Sequence, residues 1–166
     1  MLFVSRLVGD SGRVYAIDAD RQSILRLREN IALNAVTNIM AIHSGVAPTR
    51  EVLPFGVNLR GNRGASSFRR PDQETTHVPC YPLLDFMKQH DVSAVGAAKL
   101  DIEEMGCDVL RQFFGEADST LYPELLIVEK EDGLLELLRS RGYRMVAESG
   151  LNWSFSLERP GCGAVR

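Results

Sequence analysis

The sequence predicts an α/β fold built on a mostly parallel sheet, with helices on both faces and an antiparallel hairpin at the C-terminal end. Three observations carry this. A strand, a helix and a second strand follow one another between residues 13 and 42, the pattern of a parallel βαβ unit. Strand and helix periods alternate again from 92 to 141. Two further short strands, about 144–147 and 152–158, then stand close enough to pair as a hairpin.

Residues 2–8 carry Leu2, Phe3 and Leu7 at spacings that suit the last turns of a helix, with Gly9 to end it. Gly9-Asp10-Ser11-Gly12 is a tight connection. It precedes a strand rather than a helix, so it reads as a turn and not as a phosphate loop. Arg13-Val14-Tyr15-Ala16-Ile17-Asp18 is a buried strand that ends in a carboxylate. In a nucleotide-binding sheet, an acid at that position hydrogen-bonds a ribose diol. A helix follows from Arg21 to Asn34, with Asp20 as its N-cap and Ile24, Leu27 and Ile31 on one face. Ile39-Met40-Ala41-Ile42 completes the unit.

From Gly45 to about Pro79 the periodicity dissolves into glycine, asparagine, arginine and serine. A stretch this long inside a compact domain implies a lid, a hairpin insertion or a mobile loop within one domain spanning 1–166. Regular pattern resumes with a helix from Pro82 to Gln89 and a strand from Val92 to Leu100. A helix over 105–115 presents Met105, Val109, Leu110 and Phe113. The run Glu124-Leu125-Leu126-Ile127-Val128-Glu129 is apolar throughout its interior, as in a strand covered on both faces. Asp132 to Arg141 forms a leucine-rich helix, and Gly142 takes the left-handed position that ends it.

Composition excludes several classes. The 166 residues are 45% hydrophobic and 25% charged, with a net charge of −3, which is ordinary for a globular domain and unsuited to nucleic-acid binding by bulk charge. There is no apolar run of about 18 residues to span a membrane. Cys80, Cys107 and Cys162 form neither a metal pair nor a disulfide framework, so a reducing cytoplasm is expected. His43, His77 and His90 lack metal-ligand spacing, and no metal site is expected.

Three acids stand at strand ends: Asp18, Asp101 and Glu129. Ligands of open parallel sheets bind at the carboxyl ends of the strands, so the three are expected to face one cleft. Each acid alone serves equally well as a helix cap. The densest cluster is Lys99-Leu100-Asp101-Ile102-Glu103-Glu104. There a carboxylate beside a lysine suits a general base, a site for a hydroxyl substrate or for a divalent cation, or else a salt-bridged helix start. Ser44 and Gly45 leave a strand where backbone can approach a bound base. A nicotinamide-dependent dehydrogenase also accounts for Asp18, but leaves Lys99 to Glu103 unexplained.

Taken in order, several segments resemble the FkbM-type family of S-adenosylmethionine-dependent methyltransferases. They are Gly12–Asp18, Ile24–Asn34, Gly64-Ala-Ser-Ser67, Lys99-Leu-Asp-Ile-Glu103 with Val109-Leu-Arg111, and Ile127-Val-Glu129. The resemblance covers roughly residues 5–145. It implies a class I, Rossmann-like methyltransferase sheet and methyl transfer from S-adenosylmethionine to a hydroxyl of a small-molecule, sugar or lipid acceptor. It places Asp18 on the cofactor ribose, with Asp20, Ser44 and Gly45 nearby, and Lys99, Asp101 and Glu103 in the catalytic cleft. Glu104 stands where the family carries glycine. The family's first strand and glycine-rich turn are not among these residues. That strand is central, and about four or five buried side chains at roughly 1.5–3 kcal/mol each rival a net stability of about 5–15 kcal/mol. Without it an intact family fold is expected to be marginal, so either Met1 is not the native start or residues 2–8 or a second chain fill the slot, an unfilled one favouring self-association; the alternative is a catalytically inactive module that serves as an interaction domain.

Overall fold

The computed structural model describes residues 1–57, 74–102 and 105–158. The chain divides into two compact units, Met1–Val46 with Arg50–Cys80 and Ala47–Thr49 with Tyr81–Arg166.

In the first unit, α1 (Leu2–Val8) leads through the Gly9–Gly12 turn into β1 (Val14–Asp18). α2 (Arg21–Leu33) connects β1 to β2 (Ile39–His43), and the two strands pair in parallel from Val14↔Ile39 to Asp18↔His43. Asn38 joins these pieces. Its amide donates to the carbonyls of Ser5 at 3.2 Å and Gly9 at 2.9 Å, its Oδ1 accepts from Ser5 Oγ at 2.6 Å, and its carbonyl accepts from Val14 at 2.9 Å. The predicted apolar face of α2 is present, but only Ile24 along it is fully buried. Where the composition gave a lid, a loop or a hairpin, the described residues form β3 (Gly45–Val46), β4 (Glu51–Val57) and β5 (Glu74–Tyr81). β4 and β5 pair antiparallel from Glu51↔Cys80 to Val57↔Glu74. Ala19, Phe55 and Val78 make a small buried cluster beneath them.

In the second unit, α3 (Leu83–Gln89) precedes β6 (Ala97–Leu100), α4 (Gly106–Glu116), β7 (Leu125–Glu129), α5 (Leu134–Ser140), β8 (Tyr143–Ser149) and β9 (Asn152–Leu157). β6 is shorter than the expected strand from Val92. The Val92 amide is tied back to the Met87 carbonyl at the end of α3, at 2.9 Å, and Asp91 adopts φ 51°. The chain therefore cannot extend until it has left that turn. β6 and β7 run parallel, while β7–β9 and β9–β8 are antiparallel, in the order β6-β7-β9-β8. The expected C-terminal hairpin is present, with Gly150 at φ 55° in its turn. Its core packs Val109, Leu110 and Phe113 of α4 with Leu126, Val128, Leu134, Leu138 and Phe155, all essentially without solvent contact. Phe114 stacks edge-on against Tyr122 at 4.7 Å, and the Tyr143 hydroxyl donates to the Pro123 carbonyl at 2.8 Å.

The strands thus group into three sheets rather than one, a parallel pair, a three-stranded sheet β3-β5-β4 and the mixed four-stranded sheet. Among the described residues, β1 has β2 as its strand partner and β6 has β7. No helix of these residues is long and apolar enough to cross a membrane.

Phe113 is fully buried in α4. Phe113→Ala is expected to lower the unfolding free energy by about 3–5 kcal/mol. Urea denaturation followed by far-UV circular dichroism checks this.

Candidate functional site

The first group of candidate residues surrounds the carboxyl ends of β1 and β2. Asp18 closes β1, and its backbone carbonyl accepts the Ser44 N–H at 3.1 Å, which extends the parallel pairing by one bond. The Asp18 side chain turns back on the chain, where Oδ1 accepts the Asp20 N–H at 2.8 Å. Oδ2 accepts nothing among the described residues, so one oxygen remains for a ligand. Packed atoms around the carboxyl displace water and raise its pKa above the ordinary aspartate value. The charge of Asp20 adds to the rise, while the Asp20 N–H and the nearby His43 draw it down. Asp18 is nonetheless exposed as a residue at the strand tip, so the loss of water is partial. His43 sits opposite Asp18 in the strand register, and its Nε2 lies 3.1 Å from the Ala19 carbonyl. That contact requires the proton on Nε2.

Asp20 has a different task. It is buried, and its carboxylate accepts the N–H groups of Gln22 at 3.1 Å and Ser23 at 3.3 Å, and the Ser23 hydroxyl at 2.8 Å. Both oxygens serve the start of α2, which is the N-cap the sequence predicts. Ser44 is also occupied: its buried hydroxyl donates to the Pro79 carbonyl at 2.8 Å and ties the exit of β2 to β5. Gly45 begins β3 and is buried. The two residues leave backbone, rather than side chain, at the rim.

The second group lies in the other unit. Lys99 is on β6, Asp101 immediately follows it, and their side chains form an ion pair. The lysine is 48% exposed and the aspartate 62%, so the pair is hydrated and worth no more than about 1 kcal/mol. Neither partner is locked against exchange for a ligand. Glu103 and Glu104 lie outside the described residues. Glu129 ends β7 one residue beyond the last β6–β7 register pair, Leu100↔Val128, and it faces Asn152 of β9. Asp101 and Glu129 therefore stand at adjacent strand ends on the same edge of one sheet.

Sequence reasoning missed Glu131. Its Oε2 accepts the Cys107 N–H at the start of α4, at 2.9 Å. The two residues are 24 apart, and no local spacing rule links them. Burial raises the pKa of the Cys80 and Cys107 thiols, which disfavours the nucleophilic thiolate. Among the described residues, no three His, Cys, Asp or Glu side chains gather as a metal site. A cleft of about 300 Å³, lined by Asp10 to Tyr15 and Thr37 to Met40, opens at the amino ends of β1 and β2. It lies at the opposite end of the strands from Asp18, where ligands of parallel sheets do not bind.

A model of the methyltransferase FkbM domain matches residues 1–145, and the chain belongs to that family. No curated protein and no solved structure matches the chain. Family membership implies a class I, Rossmann-like arrangement and S-adenosylmethionine as the methyl donor. Asp18 fits that donor: a carboxylate at the tip of a parallel strand, with one oxygen fixed by backbone and the other unused, can accept a ribose hydroxyl.

The contrast between the two aspartates is measurable. Asp20→Ala is expected to cost about 1–2 kcal/mol of stability through loss of the cap. Asp18→Asn keeps the oxygen that accepts the Asp20 N–H and removes a crowded charge. A carboxyl whose pKa is raised on folding favours the folded state below its unfolded pKa, and that contribution is lost as pH rises through the folded value. At pH 7 Asp18→Asn should therefore match or exceed the parent in stability, and the difference should vanish in acid. Chemical denaturation at pH 7 and below pH 4 tests both variants.

Proposed function

We propose that the chain carries out S-adenosylmethionine-dependent methyl transfer to the hydroxyl of a small-molecule, sugar or lipid acceptor. Family membership supports the reaction class, and the available oxygen of Asp18 is the observation that carries the cofactor assignment. When bound, S-adenosylmethionine supplies an electrophilic methyl group on a sulfonium.

The chain's own residues then have separable tasks. Asp18 holds the ribose diol, and Asp20 fixes the turn from which Asp18 is presented. Ser44 and Gly45 offer backbone at the rim for the base. Lys99 orients the acceptor oxygen. Asp101 takes the hydroxyl proton as the new C–O bond forms and the C–S bond breaks, and Glu103 flanks it in the same segment. S-adenosylhomocysteine and the methyl ether are the products. An exposed carboxylate is a weak base, so positioning supplies much of the rate. Buried reduced thiols and the absence of a spanning helix among the described residues are compatible with a cytoplasmic setting.

A second reading is an inactive, methyltransferase-like interaction module. Calorimetric titration with S-adenosylhomocysteine separates the two. Micromolar binding supports the enzyme; where a folded sample does not bind, the same titration on an N-terminally extended version decides, binding supporting the enzyme and its absence the module.

For the enzyme, Asp18→Asn is expected to weaken S-adenosylhomocysteine by about tenfold or more, through loss of charge-assisted hydrogen bonds worth roughly 1.5–3 kcal/mol. Binding to the parent chain should weaken in acid at a higher pH than an ordinary aspartate would impose, because only the ionised form accepts from both hydroxyls. Asp101→Asn should keep cofactor binding and lose about a hundredfold in turnover. Labelled methyl transfer to glucose, glycerol and dodecanol, as sugar, polyol and lipid hydroxyls, provides that measurement.

A further inference from the structure

Asp18 and His43 are linked by more than their register. Asp18 Oδ1 accepts the Asp20 N–H at 2.8 Å, and His43 Nε2 donates to the Ala19 carbonyl at 3.1 Å. That N–H and that carbonyl belong to one peptide group. The group is trans and planar, so its C=O and N–H point to opposite sides and turn together. The side chains at the paired ends of β1 and β2 therefore grip the same rigid group from opposite ends. Ala19 itself is buried with Phe55 and Val78, which hold it from a third direction.

This grip decides how Asp18 is presented. The Asp20 cap secures the chain after the peptide, through Gln22 and Ser23, and His43 secures the carbonyl before it. If the carbonyl were released and the peptide turned, its N–H would leave Oδ1 and the carboxylate would lose that anchor. Charge acts along the same line. An imidazole changes charge between about pH 5 and 8, and both forms can keep a proton on Nε2 for Ala19. In the cationic form the bond is charge-assisted and polarises the peptide, so that the N–H binds Asp18 more strongly. Lost water is the largest influence on Asp18 and raises its pKa; the Asp20 N–H draws it down, the Asp20 charge adds to the rise and His43 opposes it. From the elements beside His43, β1 brings Asp18 and the start of α2 brings Asp20, committed to its cap. α2 also brings Arg28, which donates to the Ala41 carbonyl at 2.9 Å, and β5 meets the strand exit with the neutral Pro79 carbonyl.

We propose that His43 is the positioning residue for the nucleoside-binding carboxylate: through the Ala19–Asp20 peptide it holds Asp18 in place and, when protonated, keeps it ionised. The proposal rests on the cofactor reading for its effect on binding, and on the shared peptide for its effect on Asp18.

The test compares the parent chain with His43→Leu and His43→Gln, by calorimetric titration with S-adenosylhomocysteine from about pH 8 to about pH 4.5 and by NMR titration of the Asp18 side-chain carboxyl in the ligand-free protein. His43→Leu removes the donor and should weaken binding by about fivefold at neutral pH. His43→Gln supplies an amide N–H with no titrating charge. It should bind within about twofold of the parent at neutral pH, and lose affinity in acid at a higher pH than the parent does. Its Asp18 carboxyl should also titrate at a higher pH. Unchanged affinity in His43→Leu, with Asp18→Asn impaired, overturns the positioning role and leaves the cofactor reading intact. An Asp18 titration in His43→Gln that matches the parent overturns it too, and decides alone where His43→Leu does not fold. If neither the parent chain nor its N-terminally extended version binds, the cofactor reading fails, and the ligand-free titration decides the inference: a higher midpoint in His43→Gln supports the hold on Asp18, and an unchanged one overturns it.

Discussion

The first amides of a helix have no acceptors within the helix, and this demand organises the strand ends in each of the two units. Asp20 meets it for α2 with bonds to Gln22 and Ser23, and Glu131 meets it for α4 through Cys107. Each carboxylate is favoured there by the helix dipole as well as by hydrogen bonding. Each fixes the backbone beside a strand end. In the first unit the consequence is immediate, since the Asp20 N–H that follows from the cap geometry is the one Asp18 accepts. The Asp18 carboxylate is therefore aimed by its neighbour's structural role.

The chemistry proposed for Asp18 and for Asp101 follows from unlike surroundings. Asp18 is exposed at its strand tip, yet partial loss of hydration raises its pKa. Such perturbation beside a strand end marks a candidate functional group. Asp101 is hydrated and paired with an equally accessible lysine. Its pairing is cheap to exchange, so an acceptor hydroxyl can enter between the two charges without leaving either one buried and unmatched.

Much of this was legible in the sequence, for reasons visible in particular residues. Asp20 followed by an apolar 3.6 period gave α2 and its cap. The unbroken apolar run 125–128 gave β7, which has strands on both sides. Gly142, at φ 85°, marked the end of α5. Local signals failed where the decisive bond was remote. The strand expected from Val92 begins at Ala97 because the Val92 amide returns to α3. The pairing of 51–57 with 74–81 was not forced by composition, because Pro54 and Gly56 weaken the strand signal there. Glu131 stayed hidden because its partner lies on another element.

These remote bonds share a direction. The loop Glu129-Lys130-Glu131 makes its connections outward from the end of β7, to Leu151 in the hairpin turn, to Glu148 of β8, to Cys107 of α4 and to Leu134 of α5. β7 is paired on both edges and its Leu126 and Val128 are fully buried, so it is held on every side. A loop rooted there inherits that rigidity and passes it to whatever it holds. What it holds is the start of two helices and the hairpin turn, so one strand end sets the place of three elements around it.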